Sequence, residues 1–244
     1  MEQQTDPKTT GLLPAGRVRC ALFLPQFAKN PTTGELYGVG AGYIAIEAVR
    51  ALAGRMGVAA LFVECATPTT AIEGLKSDTC DVAFLGIEPS RAAEVAFSIP
   101  VFQFDYTYLV PAGSVIQSSA DADRSGVRIA VVRGHASDLA LRRRVTYAEL
   151  IGSELPDAAF DLLSAGTVSA LAFPREHLLD FSAKLPGSRV LDDGYGINRV
   201  AMAVPKHRAA WLAYLDEFVV QAKASGLIEQ AIARGALSGF AVAQ

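Results

Sequence analysis

The stretch "CDVAFLGIEPSRAAEVAFSIPVF", Cys80–Phe102, decides how the chain is read. Its first eight residues are almost continuously apolar, the pattern of a strand buried on both faces in a parallel sheet. One cation, Arg91, stands just past the carboxyl end of that strand, where open α/β sheets bind their ligands. The competing readings of Arg91 are a solvated turn charge and a helix-start salt bridge with Glu94.

The residues upstream repeat the same grammar. "RVRCALFLP" (17–25) reads as a strand ended by Pro25, and "QFAKNPTTGELYGVGAG" (26–42) as a turn-rich loop. Apolar residues at helical spacing over Tyr43–Met56 stop at Gly57, a usual C-terminal residue for a helix. "VAALFVECA" (58–66) is a second strand, and Thr70 with Glu73 has the spacing of a capping box for a short helix over 71–77. Strand, helix, strand, helix, strand in this order predicts a parallel sheet covered by helices.

Downstream, "FDYTYLVPAG" (104–113) reads as a strand and "SVIQSSADADRSG" (114–126) as a polar connection. A second alternation follows: strand "VRIAVV" (127–132), a helix over 138–151, a helix over 158–166 and strand "VSALAF" (168–173). "SRVLDD" and "NRVAMAVPK" are extended, and the chain closes with two amphipathic helices broken at Gly226.

Composition narrows the function classes. Twenty-two Lys and Arg against 25 Asp and Glu give a net charge of −3, so no basic surface advertises nucleic acid. No apolar run reaches the roughly 18–20 residues that a membrane-spanning helix needs. Cys20, Cys65 and Cys80 each lie beside an apolar run and read as core thiols, and His135, His177 and His207 are too scattered for a metal site. Neither a metal nor a cofactor is expected. "GVGAG" (38–42) fits a dinucleotide loop poorly, because its third glycine would fall at Tyr43. "LRRRV" (141–145) reads as a solvated helix face.

With this order of elements in place, three segments together resemble the family 3 solute-binding proteins of bacterial ABC importers. They are "TGELYGVGAGYIAIEAVRALAGRMGV", "GLKSDTCDVAFLGIEPSRAAEVAFSIPVF" and "GVRIAVVRGHAS". The resemblance runs from about Leu13 to Gly235, and its most specific part is the strand, x-Pro-x-Arg turn and Phe-Ser-x-Pro around Arg91. It implies an α/β, two-lobe periplasmic binding protein type II fold whose lobes are joined by two crossover strands. A disordered tail would cover 1–16. Lobe 1 would comprise 17–110 plus 200–244, and lobe 2 would cover 111–199 with hinge strands at its edges. The implied protein is a monomer that captures a small ligand for an ABC permease. The family is periplasmic, whereas "MEQQTDPKTTGLLPAGRVRC" lacks the basic and apolar regions of a secretory signal, which as a full-length start would mean the cytoplasm.

The resemblance also assigns a site. In amino-acid-binding members the arginine of the turn grips the ligand carboxylate, a role that suits Arg91 because a guanidinium fork matches a carboxylate bidentately. Gly86 and Ile87 belong to the same turn, and Phe27 is the nearest match to an aromatic cover. From lobe 2 come the loop Gly134, His135, Ala136 and Ser137, then Pro174, and Arg175 as a second cation. Three positions depart from the amino-acid binders: Gly86 replaces a Ser or Thr, His135 and Ala136 replace a Thr, and Pro174 replaces the aspartate that pairs with the α-ammonium. A buried ammonium without a carboxylate is costly, so the ligand is expected to be a carboxylate without a standard α-amino group. No catalytic constellation stands out. The alternatives are a cyclohexadienyl dehydratase-like enzyme, with Glu176 as its acid, and a cytoplasmic small-molecule sensor.

Overall fold

The computed structural model describes residues 11–13 and 15–244, so most of the tail expected over 1–16 lies outside the described residues. In chain order the first elements are β1 (Arg17–Phe23), β2 (Phe27–Lys29), β3 (Leu36–Gly38), α1 (Ala41–Met56), β4 (Ala59–Cys65), α2 (Pro68–Lys76), β5 (Val82–Gly86), α3 (Pro89–Ala92) and β6 (Val95–Val110). They continue as β7 (Arg128–Val132), α4 (Ala136–Arg142), β8 (Glu149–Ser153), α5 (Pro156–Ser164), β9 (Ala170–Pro174), α6 (Arg175–Lys184), β10 (Arg189–Val190), β11 (Gly196–Pro205), α7 (Ala209–Ala224), α8 (Leu227–Arg234) and β12 (Phe240–Val242). The chain forms two compact units. Unit 1 takes residues up to Phe102 with Arg199–Leu237 and Ala241–Gln244, and unit 2 takes Gln103–Asn198 with Ser238–Phe240. The chain therefore passes out of unit 1 within β6 and returns within β11.

In unit 1, β1 pairs in parallel with β4 from Arg17↔Ala59 to Phe23↔Cys65, and with β5 at Cys20↔Val82. β11 lies antiparallel on β5, Val200 opposite Gly86. Every residue of β5 is buried, as its unbroken apolar run requires of a central strand. α2 closes one side of it through Ala71, Ile72 and Leu75. That helix starts earlier than the Thr70–Glu73 spacing suggested. The reciprocal cap is Thr67 with Thr70, and Pro68, whose missing N–H costs nothing in a first turn, opens the helix.

α1 begins two residues before Tyr43 and ends as expected, with Gly57 left-handed at φ 67°. Its start explains the glycines of "GVGAG". A Cβ on Gly42 would stand 1.7 Å from the Gln26 carbonyl oxygen, and one on Gly38 would stand 2.6 Å from the Gly42 oxygen. These glycines let β3 and α1 press onto the segment after β1. Gly42→Ala is expected to lose more than about 2 kcal/mol in a urea unfolding titration, because the obstacle is backbone and cannot rotate away.

The start of β5 is tied down by a buried acid. Asp81, fully buried, accepts from the Arg19 backbone N–H, Nε and Nη2, each at 2.9 Å, and from Arg208 Nη1 at 2.7 Å. The Trp211 indole donates to the Asp81 carbonyl at 2.9 Å. One residue thereby joins β1, β5 and the beginning of α7.

In unit 2, β7 pairs in parallel with β8 and β9, while β6 runs antiparallel to β9 with Tyr106 opposite Pro174. The core gathers Leu109, Ala130, Leu163, Leu171, Phe173 and Leu178. Two elements differ from the sequence expectation. The helix read over 138–151 is only α4, and its second half becomes β8. The Asp123 carboxylate takes the backbone N–H groups of Thr146, Tyr147 and Ala148, which removes three donors that a helix would need. α6 was not anticipated at all. Its polar opening "REH" hides the apolar positions Leu178 and Phe181 that bury it.

Candidate functional site

Each unit presents residues at the carboxyl edge of its parallel strands, and each half is built locally. In unit 1 the chain leaves β5 at Gly86, and the Ile87 N–H donates to the Arg199 carbonyl at 2.9 Å. Glu88 is extended and Pro89 opens the one-turn α3. That turn folds Arg91 back so that Nη1 donates to the Gly86 oxygen at 3.2 Å. Arg91 is only 5% exposed, and Glu94 pairs instead with Lys76 at 3.0 Å, so neither a solvated charge nor a salt bridge to Glu94 describes it. Ile87 is 38% exposed beside it.

The neighbouring strand β1 contributes the next segment of the same edge. Gln26 is buried there, donating from Nε2 to the Phe84 carbonyl at 3.0 Å, and Phe27 follows it half-buried in β2. Gln26 ties the loop after β1 to the middle of β5. It was absent from the expected site, and its position one residue before Phe27 was the available signal.

In unit 2 the loop after β7 is committed to its own helix. His135 is the N-cap of α4, its Nδ1 receiving the Ser137 N–H at 3.2 Å and sharing a hydrogen bond of 2.8 Å with the Ser137 hydroxyl. The His135 N–H returns to the Val132 carbonyl at 3.1 Å. The Gly134 N–H donates to Asp138 Oδ2 at 3.0 Å, and Asp138, buried, also receives Arg142 Nε at 2.7 Å. Of the four expected loop residues, Gly134, His135 and Ser137 thus bond their amides within the loop. Ala136 is buried at the first position of the helix.

Pro174 ends β9 as its last residue and N-caps α6. Arg175, expected as a second cation or a surface residue, makes several contacts within the chain. Its Nε bonds Asp105 Oδ2 at 2.7 Å, Nη1 donates to the Leu191 carbonyl at 2.7 Å and Nη2 to the Asp192 carbonyl at 2.9 Å. Those bonds tie it to the loop before β11.

The residues after it are the ones that sequence reasoning undervalued. Glu176 Oε2 and both ring nitrogens of His177 are inaccessible and have no hydrogen-bond partner. Burial, with Asp180 adding to it, pushes the Glu176 carboxyl up to about 7. Burial pushes the His177 imidazole down to about 4 against the pull of Asp180. The His177 ring meets Phe173 edge-on at 5.2 Å, and Phe173 meets the His135 ring at 4.7 Å, so the start of α6 and the loop after β7 share one aromatic wall. Among the described residues no three or more metal-binding side chains come together.

Unit 1 thus carries a buried arginine after β5, and unit 2 a hydrogen-bonded loop after β7. The sequence pattern of the bacterial extracellular solute-binding proteins, family 3, matches residues 30–234. The chain belongs to that family. This solute-binding protein is 28% identical to the ABC transporter glutamine-binding protein GlnH of Bacillus subtilis, over 83% of its own length and 73% of that protein. Its fold also matches solved structures. One, described as a binding component of an ABC transporter from Wolinella succinogenes complexed with lysine, superposes with a TM-score of 0.77 at 22% identity, covering 90% of this chain and 95% of the other. Another, an ancestral amino acid-binding protein described as a precursor of cyclohexadienyl dehydratase, gives 0.73 at 23% identity over 90% and 95%. The two-lobe type II periplasmic binding fold of this family 3 protein is thereby established.

Proposed function

We propose that the protein captures a small carboxylate-bearing solute for an ABC-type importer, acting as an extracytoplasmic monomer whose two lobes close over the ligand. The observation that carries this reading is Arg91, a guanidinium almost wholly withdrawn from water at the carboxyl edge of β5. A guanidinium fork at that edge fits a carboxylate bidentately. The glutamine and lysine of the relatives both present one. Phe27, Gly86 and Ile87 lie on the same edge of unit 1.

Pro174 removes a carboxylate from the end of β9, but the Glu176 carboxyl stands two residues on. The expectation of a ligand without an amino group therefore no longer rests on Pro174. Calorimetric titration with L-glutamine, L-lysine, succinate and L-lactate is expected to show saturable binding of at least one, weakened more than about tenfold in Arg91→Ala. Unchanged affinity in that variant would remove Arg91 as the anchor. We read the protein as a binder rather than an enzyme, and expect the pure protein not to turn over prephenate or arogenate. Turnover lost in Glu176→Gln would replace the binding reading with a dehydratase.

A further inference from the structure

We propose that Gln26 is the positioning residue of the half-site in unit 1: its side-chain amide bridges β1 and β5 where the two strands part, and ligand capture depends on that bridge. This rests on the carboxylate-binding reading and adds to it a residue that need not touch the solute.

The parting of the strands is written in their register. β1 stays paired with β4 as far as Phe23↔Cys65, whereas with β5 it pairs at Cys20↔Val82 and Ala21↔Ala83. β5 meanwhile continues against β11 to Gly86↔Val200. Where a ladder ends, its buried backbone groups need other partners. Gln26 serves both sides of the gap. Its Nε2 donates to the Phe84 carbonyl at 3.0 Å, its Oε1 receives the Phe23 N–H at 3.4 Å, and the residue is only 6% exposed. A side-chain amide carries a donor and an acceptor on one neutral end, which neither an aliphatic side chain nor a carboxylate offers.

The backbone of Gln26 extends the bridge. Its N–H returns to the Phe23 carbonyl at 2.7 Å, and its carbonyl receives the Val39 N–H at 2.9 Å. Gly42 of α1 approaches that same carbonyl too closely for a Cβ. One residue therefore joins β1, β5 and the start of α1, with Phe27 next after it and Gly86, Ile87 and Arg91 following Phe84. The charges on the surrounding elements are engaged elsewhere. Arg17 opens β1 at its far end, Arg19 is held by Asp81, Lys29 of β2 by Glu64 and Glu47 of α1 by Arg50, while β5 carries none. Without the amide, the loop after β1 and the turn after β5 move independently, and a half-site that must be ordered on binding binds less tightly.

The test compares the full chain with Gln26→Leu, which deletes both side-chain bonds, and with the isosteric Gln26→Glu. Calorimetry with L-glutamine, L-lysine, succinate and L-lactate at about pH 5 and about pH 8 is paired with NMR amide exchange on the ligand-free proteins. Exchange is read at Val39, bonded to Gln26, and at Ile87, bonded to the Arg199 carbonyl, relative to the wild type at the same pH. Gln26→Leu is expected to bind whichever probe the wild type takes more than about tenfold more weakly, and to speed exchange at Ile87 as well as at Val39. In Gln26→Glu the introduced carboxyl can donate to Phe84 only while protonated, and burial raises it from about 4.3. That variant should bind within about threefold of the wild type at about pH 5 and more than about tenfold below it at about pH 8. Faster exchange confined to Val39, a lowered melting temperature with wild-type affinity, or a Gln26→Glu affinity ratio that is the same at both pH values would overturn the proposal. Should Gln26→Leu fail to fold, the two pH values of Gln26→Glu decide alone. If no probe binds the wild type, the carboxylate reading falls, and Ile87 exchange in either variant still decides whether Gln26 holds the two strand ends.

Discussion

Asp81→Ala is expected to destabilise unit 1 by about 3 kcal/mol, since it strips Arg19 of its carboxylate and Arg208 of one of two, Asp78 remaining at 2.6 Å. Arg19 and Arg208 both end on this one carboxylate, with side chains 18% and 10% exposed, and solvent cannot readily replace it. The readout is built in. The protein's single tryptophan, Trp211, is buried against the Asp81 carbonyl, so urea unfolding followed by its fluorescence reports this region directly. A loss under about 1 kcal/mol would show that the network is ornamental. The pH dependence has a definite sign. Burial raises the Asp81 pKa, but the hydrogen bonds from Arg19 and Arg208 outweigh it and the net shift is downward from 3.8. A carboxylate held below its unfolded value contributes stability that is present above that value and lost as pH falls through the folded one. The acid limb of the wild-type stability curve should therefore be steeper than that of Asp81→Asn.

Unit 1 was legible because its signals are local and agree. The apolar run of β5, the helical spacing of α1 and the terminating Gly57 each point to the same sheet, and the proline-led turn then places Arg91 at its edge. Unit 2 was less so, because distant residues overrule local preference there. β8 reads as the tail of a helix until Asp123, more than 20 residues upstream, captures the Thr146–Ala148 amides. Arg175 reads as an available cation until Asp105, 70 residues away, claims it. The occupation of the Gly134 amide was within reach of the sequence. Asp138 sits in the first turn of α4, where acids cap helices, and that role competes with binding an outside anion. Glu176 was visible as an acid near β9, but its lack of a partner is a property of packing that no spacing encodes.

The same missing partner predicts a stability profile that no surface glutamate would give. The Glu176 carboxyl is raised from 4.5 to about 7, so its contribution to stability is complete below 4.5 and is lost as pH rises through 7. Glu176→Gln keeps the shape and removes the ionisation. The ligand-free variant should exceed the wild type by about 1–3 kcal/mol at about pH 8, the full shift being reduced for a half-buried position. By about pH 5 the difference should shrink below about 1 kcal/mol. His177 contributes the opposite slope in both proteins. Its imidazole is lowered from 6.5 to about 4, so its share is present above 6.5 and lost as pH falls through 4, and it cancels in the comparison. Thermal melting at the two pH values decides the matter, and equal midpoints at about pH 8 would mean that the carboxyl is solvated after all. A residue placed for packing loses stability when it is replaced, whereas a buried unpaired acid gains it once its ionisation is removed.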